Sequence, residues 1–294
     1  MDKVIIGGSS SYVLAIKVAR ELNAPVLNTD IKRFPDGEKY IRIEGELEGT
    51  NAVVIQSMYL NPDEYLIEYF LMVEALKELG AKKVTGVIPY FAYARQDERF
   101  KPGEAISLKT ISKLIENVGT DQLFTVDMHL HRIDAINKIF KIPAKNLTAI
   151  PDIAHYIEKY LYLENPLVIG PDEEAEQWAR IAAKHLKTDY DVLEKKRISS
   201  TEVEITTREL DVKNRDVVII DDIISTGGTI TKTVESLKNK GAKKIVAACT
   251  HPVLVDNALK KIYGAGAYNV IGTTTIPSPI SVVEISGTLA QALK

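Results

Sequence analysis

The chain has 294 residues, 45% hydrophobic and 26% charged, and its 37 Lys and Arg against 40 Asp and Glu leave a net charge of −3. This composition excludes a disordered chain or a small staple-dependent scaffold, and at about 150 residues per domain it predicts two domains. The near-neutral balance offers no overall pull toward nucleic acid or an anionic membrane, so neither is expected as a partner. The single cysteine, Cys249, has no internal disulfide partner, which suits a reducing cytoplasm. The apolar run after Met1–Lys3 is too short for a signal segment, and no stretch reaches the length of a membrane span.

Short β-branched runs alternate with amphipathic stretches along the chain. Strands are predicted at Val4–Ile6, Ala52–Ile55, Val84–Ile88, Leu123–Val126, Leu167–Ile169, Asp191–Leu193, Val217–Ile220 and Ile245–Ala248. Helices are predicted at Tyr65–Leu79, Ile106–Val118, Glu174–Leu186 and Thr229–Lys240, where apolar residues recur every three or four positions. Tyr40–Ile43 alternates polar with apolar and reads as an edge strand or hairpin arm. Alternating strands and helices imply an α/β fold of mostly parallel sheets flanked by helices. Residues 73–84 (VEALKELGAKKV) and 234–245 (VESLKNKGAKKI) are identical at eight of twelve positions. Each follows a strand of matching type, AVVIQS or DVVIIDD, so two similarly folded halves are expected. The boundary is expected near Pro143–Pro151, giving domains 1–145 and 146–294, with the last few residues candidates to pack on the first domain.

The strongest chemical signal is Val217–Thr229, VVIIDDIISTGGT. A buried strand delivers Asp221 and Asp222 at its carboxyl end, and Ser225, Thr226, Gly227, Gly228 and Thr229 then open a helix. Glycines let backbone N–H groups wrap a phosphate, and the helix dipole favours the anion. Two acids beside a phosphate cradle want hydroxyls or a metal between them, a combination that a sugar phosphate satisfies. A plain βα turn is the alternative, made less apt by the acid pair.

Other segments read two ways. Arg95, Gln96, Asp97 and Arg99 follow a strand and suit phosphate and base recognition, or form a solvated charge run. Phe34–Glu38 contains Asp36–Gly37, strong turn chemistry. Asp127 and His129 follow a strand at alternating positions that would point the same way, fit for a metal or its waters, while His131 reads as structural. Asp172 follows a strand and the turn Gly170–Pro171. Lys195, Lys196 and Arg197 form a basic triplet, normally a solvated face, before a polar stretch that reads as a mobile loop or hairpin.

Taken together, FPDGE at 34–38, PYFAYARQDERF at 89–100, TVDMHLH at 125–131, GPDEEAEQWAR at 170–180, EKKR at 194–197 and the loop at 217–229 resemble the ribose-phosphate diphosphokinase family over essentially the full length. Phosphoribosyltransferases share only the second-half loop. The resemblance implies two phosphoribosyltransferase-like domains, and transfer of the β,γ-diphosphoryl group of MgATP to the C1 hydroxyl of ribose 5-phosphate for nucleotide biosynthesis. It implies ATP binding by Phe34, Asp36, Gly37, Glu38, Arg95, Gln96, Asp97 and Arg99, the first segment often serving a neighbouring subunit of a homo-oligomer. It assigns Mg²⁺ to His129 and Asp172, with Asp127 a further candidate, and catalysis to Lys195 and Arg197. Ribose 5-phosphate falls to Arg197, Asp221, Asp222 and Ser225–Thr229. Three departures stand out: Glu173 and Glu174 replace glycines, Glu194 replaces an Asp, and Ser225 replaces an acid found in many relatives.

Overall fold

A computed structural model describes residues 3–99, 101–130, 135–197, 203–207 and 211–294, with the backbone alone at 194–197 and 203–207. The chain divides into two compact units, Met1–Leu147 with Thr275–Pro277 and Ile285–Lys294, and Thr148–Thr274 with Ser278–Glu284.

In the first unit, β1 (Lys3–Gly7) leads to α1 (Tyr12–Leu22), which ends on left-handed Asn23. The arms β2 (Asn28–Arg33) and β3 (Lys39–Glu44) pair antiparallel as a separate hairpin. Then come β4 (Asn51–Ile55), α2 (Pro62–Glu78), β5 (Lys83–Ile88), α3 (Ser107–Asn117), β6 (Gln122–Val126) and β7 (Ala144–Leu147). Pro62 opens α2 and Asp63 and Glu64 complement its dipole, so this helix starts ahead of the predicted Tyr65. The five strands pair in the order β1-β4-β5-β6-β7, all parallel. Val26 bridges Ile5 on the opposite side of β1, so the chain leaves β1 one way and returns on the other. Leu66, Tyr69, Met72, Val73 and Leu76 of α2 close over Val4, Ile6, Ala52, Val54 and Val84 to make the core.

The second unit opens with α4 (Ile150–Tyr160) and continues with β8 (Leu167–Gly170), α5 (Glu176–Leu186) and the antiparallel arms β9 (Tyr190–Arg197) and β10 (Val203–Thr207). It ends with β11 (Val217–Ile224), α6 (Gly228–Asn239), β12 (Ile245–Pro252), α7 (Ala258–Gly264), β13 (Asn269–Thr273) and β14 (Ser281–Val283). The strand order is β10-β9-β8-β11-β12-β13-β14. Every pair but β9–β10 is parallel, so the α/β class with mostly parallel sheets holds in both units. The sheet is covered on both faces: Ile153, Trp178 and Ala182 pack on one, Ile230, Val234 and Ile262 on the other. Finally α8 (Ser286–Leu293) packs against α1 in the first unit.

The registers define the internal repeat. Val4 pairs with Ala52 and Ala52 with Val84, while Leu167 pairs with Val217 and Val217 with Ile245. This places β1, β4 and β5 in step with β8, β11 and β12, and the twelve-residue repeat falls on α2 and α6 with the turns that follow. In this register Ser9 stands where Asp172 stands, and Gln56 and Ser57 stand where Asp221 and Asp222 stand.

At the amino end of β11, the carboxylate of Asp216, 1% exposed, accepts from the Glu164 N–H at 2.6 Å and the Lys244 N–H at 3.1 Å. Asp216→Ala strands both donors. It is expected to destabilise the protein by about 2–4 kcal/mol in urea unfolding.

Candidate active site

In the second unit β8 sends the chain toward β9, and β11 lies on the other side of β8. Strand order therefore reverses between β8 and β11, and ligands of parallel sheets enter the crevice at the carboxyl ends of such a pair. The last residue of β11 paired with β8 is Ile219, whereas pairing with β12 runs on to Ile224. Asp221 and Asp222 thus lie within a strand longer than the predicted Val217–Ile220, on a stretch that β8 has already left.

Asp222 is 3% exposed, and its backbone N–H donates to Asp221 Oδ1 at 2.9 Å. Burial, then the charge of Asp222 and a side-chain hydrogen bond with it, then the charge of Asp172 hold the Asp221 carboxyl well above the usual aspartate range. Asp172 follows β8, and its side chain caps the 3-10 turn Glu173–Ala175 by accepting from the Ala175 N–H at 3.3 Å. Glu173 and Glu174 are exposed.

The loop after β11 is fixed by its backbone. Val255 N–H donates to the Ser225 carbonyl at 3.1 Å, and Thr231 N–H to the Gly227 carbonyl at 2.8 Å. Gly227 caps α6 at φ 74° with no side-chain cap, leaving the first-turn N–H groups to whatever enters the crevice. Thr226, Gly228 and Thr229 are exposed there, and Ser225 is half-buried. Lys195 and Arg197 lie on β9, in register with Ile205 and Val203 of β10, so Val203–Thr207 of the polar stretch is an antiparallel arm. Their side chains, and residues 198–202, lie outside the described structure.

In the first unit, Phe34–Glu38 makes the tight turn between β2 and β3. Phe34 N–H donates to the Glu38 carbonyl and Gly37 N–H to the Phe34 carbonyl, each at 2.9 Å. Phe34 is 49% exposed, with Tyr40 edge-on at 5.8 Å, and Asp36, Gly37 and Glu38 are exposed. Arg95, Gln96, Asp97 and Arg99 follow β5 on an irregular segment. Glu104, which the sequence reading passed over, organises it. Its side chain accepts from Gln96 Nε2 at 3.3 Å and the Lys101 N–H at 3.0 Å, and its carbonyl accepts from Arg99 Nε at 2.8 Å. A glutamate one residue past Pro102–Gly103 was the available signal.

The expected strand-like alternation of Asp127 and His129 does not hold. β6 ends at Val126, and Asp127 turns left-handed at φ 37°, so the two-residue period stops there. Asp127 is buried, its N–H donating to the Leu147 carbonyl at 2.8 Å, and Met128 N–H donates to Asn146 Oδ1 at 2.9 Å. His129 is half-buried in the same turn, and His131 lies outside the described residues. Among the described residues, no three His, Cys, Asp or Glu side chains stand close enough to hold an ion by themselves. Also among the described residues, no helix is long and apolar enough to cross a membrane.

Fold and crevice together define a protein of the phosphoribosyl-binding α/β class, and residues 143–266 match the phosphoribosyl transferase domain. Residues 3–119 match the N-terminal domain of ribose phosphate pyrophosphokinase. Similar proteins include the ribose-phosphate pyrophosphokinase of Methanothermobacter thermautotrophicus, 42% identical, spanning 99% of this chain and 100% of that one. That of Sulfolobus acidocaldarius is 37% identical over the same shares of each chain. The crystal structure of phosphoribosylpyrophosphate synthetase from Mycobacterium smegmatis superposes with a TM-score of 0.89 at 30% identity, covering 100% of this chain and 98% of that one. The chain belongs to the ribose-phosphate pyrophosphokinase family.

Two substitutions test this geometry. Gly227→Ala forces a left-handed conformation and brings a Cβ within 3.1 Å of Ala258, so a loss of about 1–2 kcal/mol or more is expected in denaturation. A carboxyl whose folded pKa is raised loses stability as pH climbs above its unfolded value. Asp221→Asn is therefore expected to raise the melting temperature of ligand-free, chelator-treated protein at pH 7. The gain should vanish as pH falls below the ordinary aspartate value of about 3.9, in a series of thermal melts.

Proposed function

We propose that the chain makes 5-phospho-α-D-ribose 1-diphosphate and AMP from ribose 5-phosphate and ATP. The observation that carries this reading is the crevice after β11, where an acid pair, Asp222 buried and Asp221 half-buried, meets a glycine- and hydroxyl-rich loop at a helix start. Asp221 and Asp222 accept from the ribose hydroxyls, and Ser225–Thr229 bind the 5-phosphate through backbone N–H and side-chain hydroxyls. Lys195 and Arg197 neutralise charge that develops on the transferring diphosphoryl group, with Arg197 also reaching the sugar phosphate. In the first unit, Phe34 stacks on adenine beside Asp36, Gly37 and Glu38, while Arg95, Gln96, Asp97 and Arg99 receive the rest of the nucleotide.

Asp172, Asp221 and Asp222 supply hard oxygen donors whose mutual repulsion a divalent cation relieves, which fits Mg²⁺. With so few donors on the protein, a bound ion would need further oxygens from substrate or water. In the second unit Asp172 is assigned to hold it; His129 and Asp127 keep the metal-binding role that the family resemblance gives them. When bound, Mg²⁺ offsets phosphate charge. The exposed turn at Phe34–Glu38 supports a homo-oligomer, a dimer or larger, in which this turn serves a neighbouring copy. The lone buried Cys249 supports a cytoplasmic setting.

Purified protein with ATP, ribose 5-phosphate and Mg²⁺ is expected to give AMP and phosphoribosyl diphosphate in equal amounts, with kcat falling about 10²–10³-fold in Lys195→Ala. Consumption of phosphoribosyl diphosphate with a nucleobase, and no use of ATP, would instead identify a transferase.

A further inference from the structure

The first unit has the same strand-order reversal as the second, between β1 and β4, and it is closed by the chain's own side chains. Glu68 of α2 is fully buried there, and its carboxylate takes four hydrogen bonds. Oε1 accepts from the Ser9 N–H at 2.7 Å and Gln56 Nε2 at 2.8 Å. Oε2 accepts from the Ser9 hydroxyl at 2.8 Å and Lys39 Nζ at 2.6 Å. Ser9 and Gln56 occupy the register positions of Asp172 and Asp221, and in the aligned repeat Glu68 falls on Thr229 of the phosphate loop. In that alignment α2 begins five residues earlier than α6, so helix fills the place where the second unit has its loop. Gly8 packs so closely that a Cβ would lie 2.2 Å from Gln56 Oε1. A protein carboxylate thus stands where the second unit offers room for an anionic ligand.

The cation on that carboxylate comes from the hairpin. Lys39 opens β3 directly after the Phe34–Glu38 turn, and it also meets Glu64 Oε1 at 2.8 Å. Glu64 Oε2 in turn holds Arg33, the last residue of β2, at 2.6 Å, and Arg33 Nη1 donates to the Gly37 carbonyl at 2.6 Å. Both arms are therefore pinned to α2 at the foot of the turn. Burial disfavours the Lys39 ammonium, yet its bonds to Glu64 and Glu68 outweigh this and keep it charged beyond the ordinary lysine range.

We propose that Glu68 and Lys39 are positioning residues for nucleotide binding: Glu68 replaces a ligand anion in the closed crevice and, through Lys39, sets the hairpin that presents Phe34–Glu38. This rests on the reading of that turn as part of the nucleotide site. The test uses the full chain with Lys39→Met, Lys39→Arg and Glu68→Gln, measured by hydrogen exchange without substrate and by steady-state kinetics. Amides of residues 28–44 are expected to exchange about ten-fold faster or more in Lys39→Met, with β4 and β5 unchanged. KM for ATP should rise about ten-fold while kcat and KM for ribose 5-phosphate stay within about two-fold, and Lys39→Arg should restore much of both effects. Glu68→Gln should follow Lys39→Met; if it does not fold, Arg33→Ala supplies the second variant through the Glu64 branch. Unchanged hairpin exchange, exchange rising equally throughout the first unit, or equal changes in KM for both substrates would overturn the proposal. If wild-type protein forms no AMP, the reading of function falls, and the exchange data alone then decide whether the hairpin is held by this lock.

Discussion

A parallel sheet whose strand order reverses leaves two central strands with their following segments turning apart, and the gap between them must be filled by something polar. Backbone N–H groups from the loops and from a helix that starts there face it, so an anion or its equivalent suits the gap. This constraint occurs twice in the chain. In the second unit the gap is lined by Asp172, Asp221, Asp222 and an uncapped helix start, a set that repels itself until a ligand arrives. In the first unit it is satisfied internally.

The two solutions have different energetic characters. The Glu68 carboxylate, fully removed from water, is matched by an ammonium and three neutral donors, and taking away one member of such a buried pair typically costs about 3–5 kcal/mol. It is a fixed part of the fold. Asp221 is the reverse case, held neutral-leaning by burial and by like charges. The unit that is complete without ligand carries a hairpin and an irregular segment after β5. The unit that is incomplete without ligand carries the sugar-phosphate loop.

Much of this was legible from the residues. Strands buried on both faces announce themselves as β-branched runs, and Val217–Thr229 states its chemistry through composition alone. The repeat on α2 and α6 was visible because both helices must end on a left-handed glycine before re-entering a sheet, Gly80 at φ 86° and Gly241 at φ 87°. What stayed hidden depends on distance along the chain. Glu68 reads as one more acid on an amphipathic helix, and only the fold brings Ser9, Lys39 and Gln56 to it. The expected alternation of Asp127 and His129 failed for the opposite reason: it holds only while the strand does, and the strand ends at Val126, where Asp127 turns left-handed. The family resemblance supplied roles for Phe34, Asp36 and Glu38 that turn chemistry alone does not distinguish from an ordinary reverse turn.

Because both halves keep the same register through three strands and a helix, the molecule carries two versions of one design side by side. Gln56 against Asp221, Ser57 against Asp222 and Glu68 against Thr229 mark where the two copies differ, one filled by its own side chains and the other open to an occupant. Only the copy in the second unit keeps room for an occupant, while the first ties its own hairpin to the helix through Lys39. Saturation of the chain with sugar phosphate should stop at one equivalent, although the architecture was built twice.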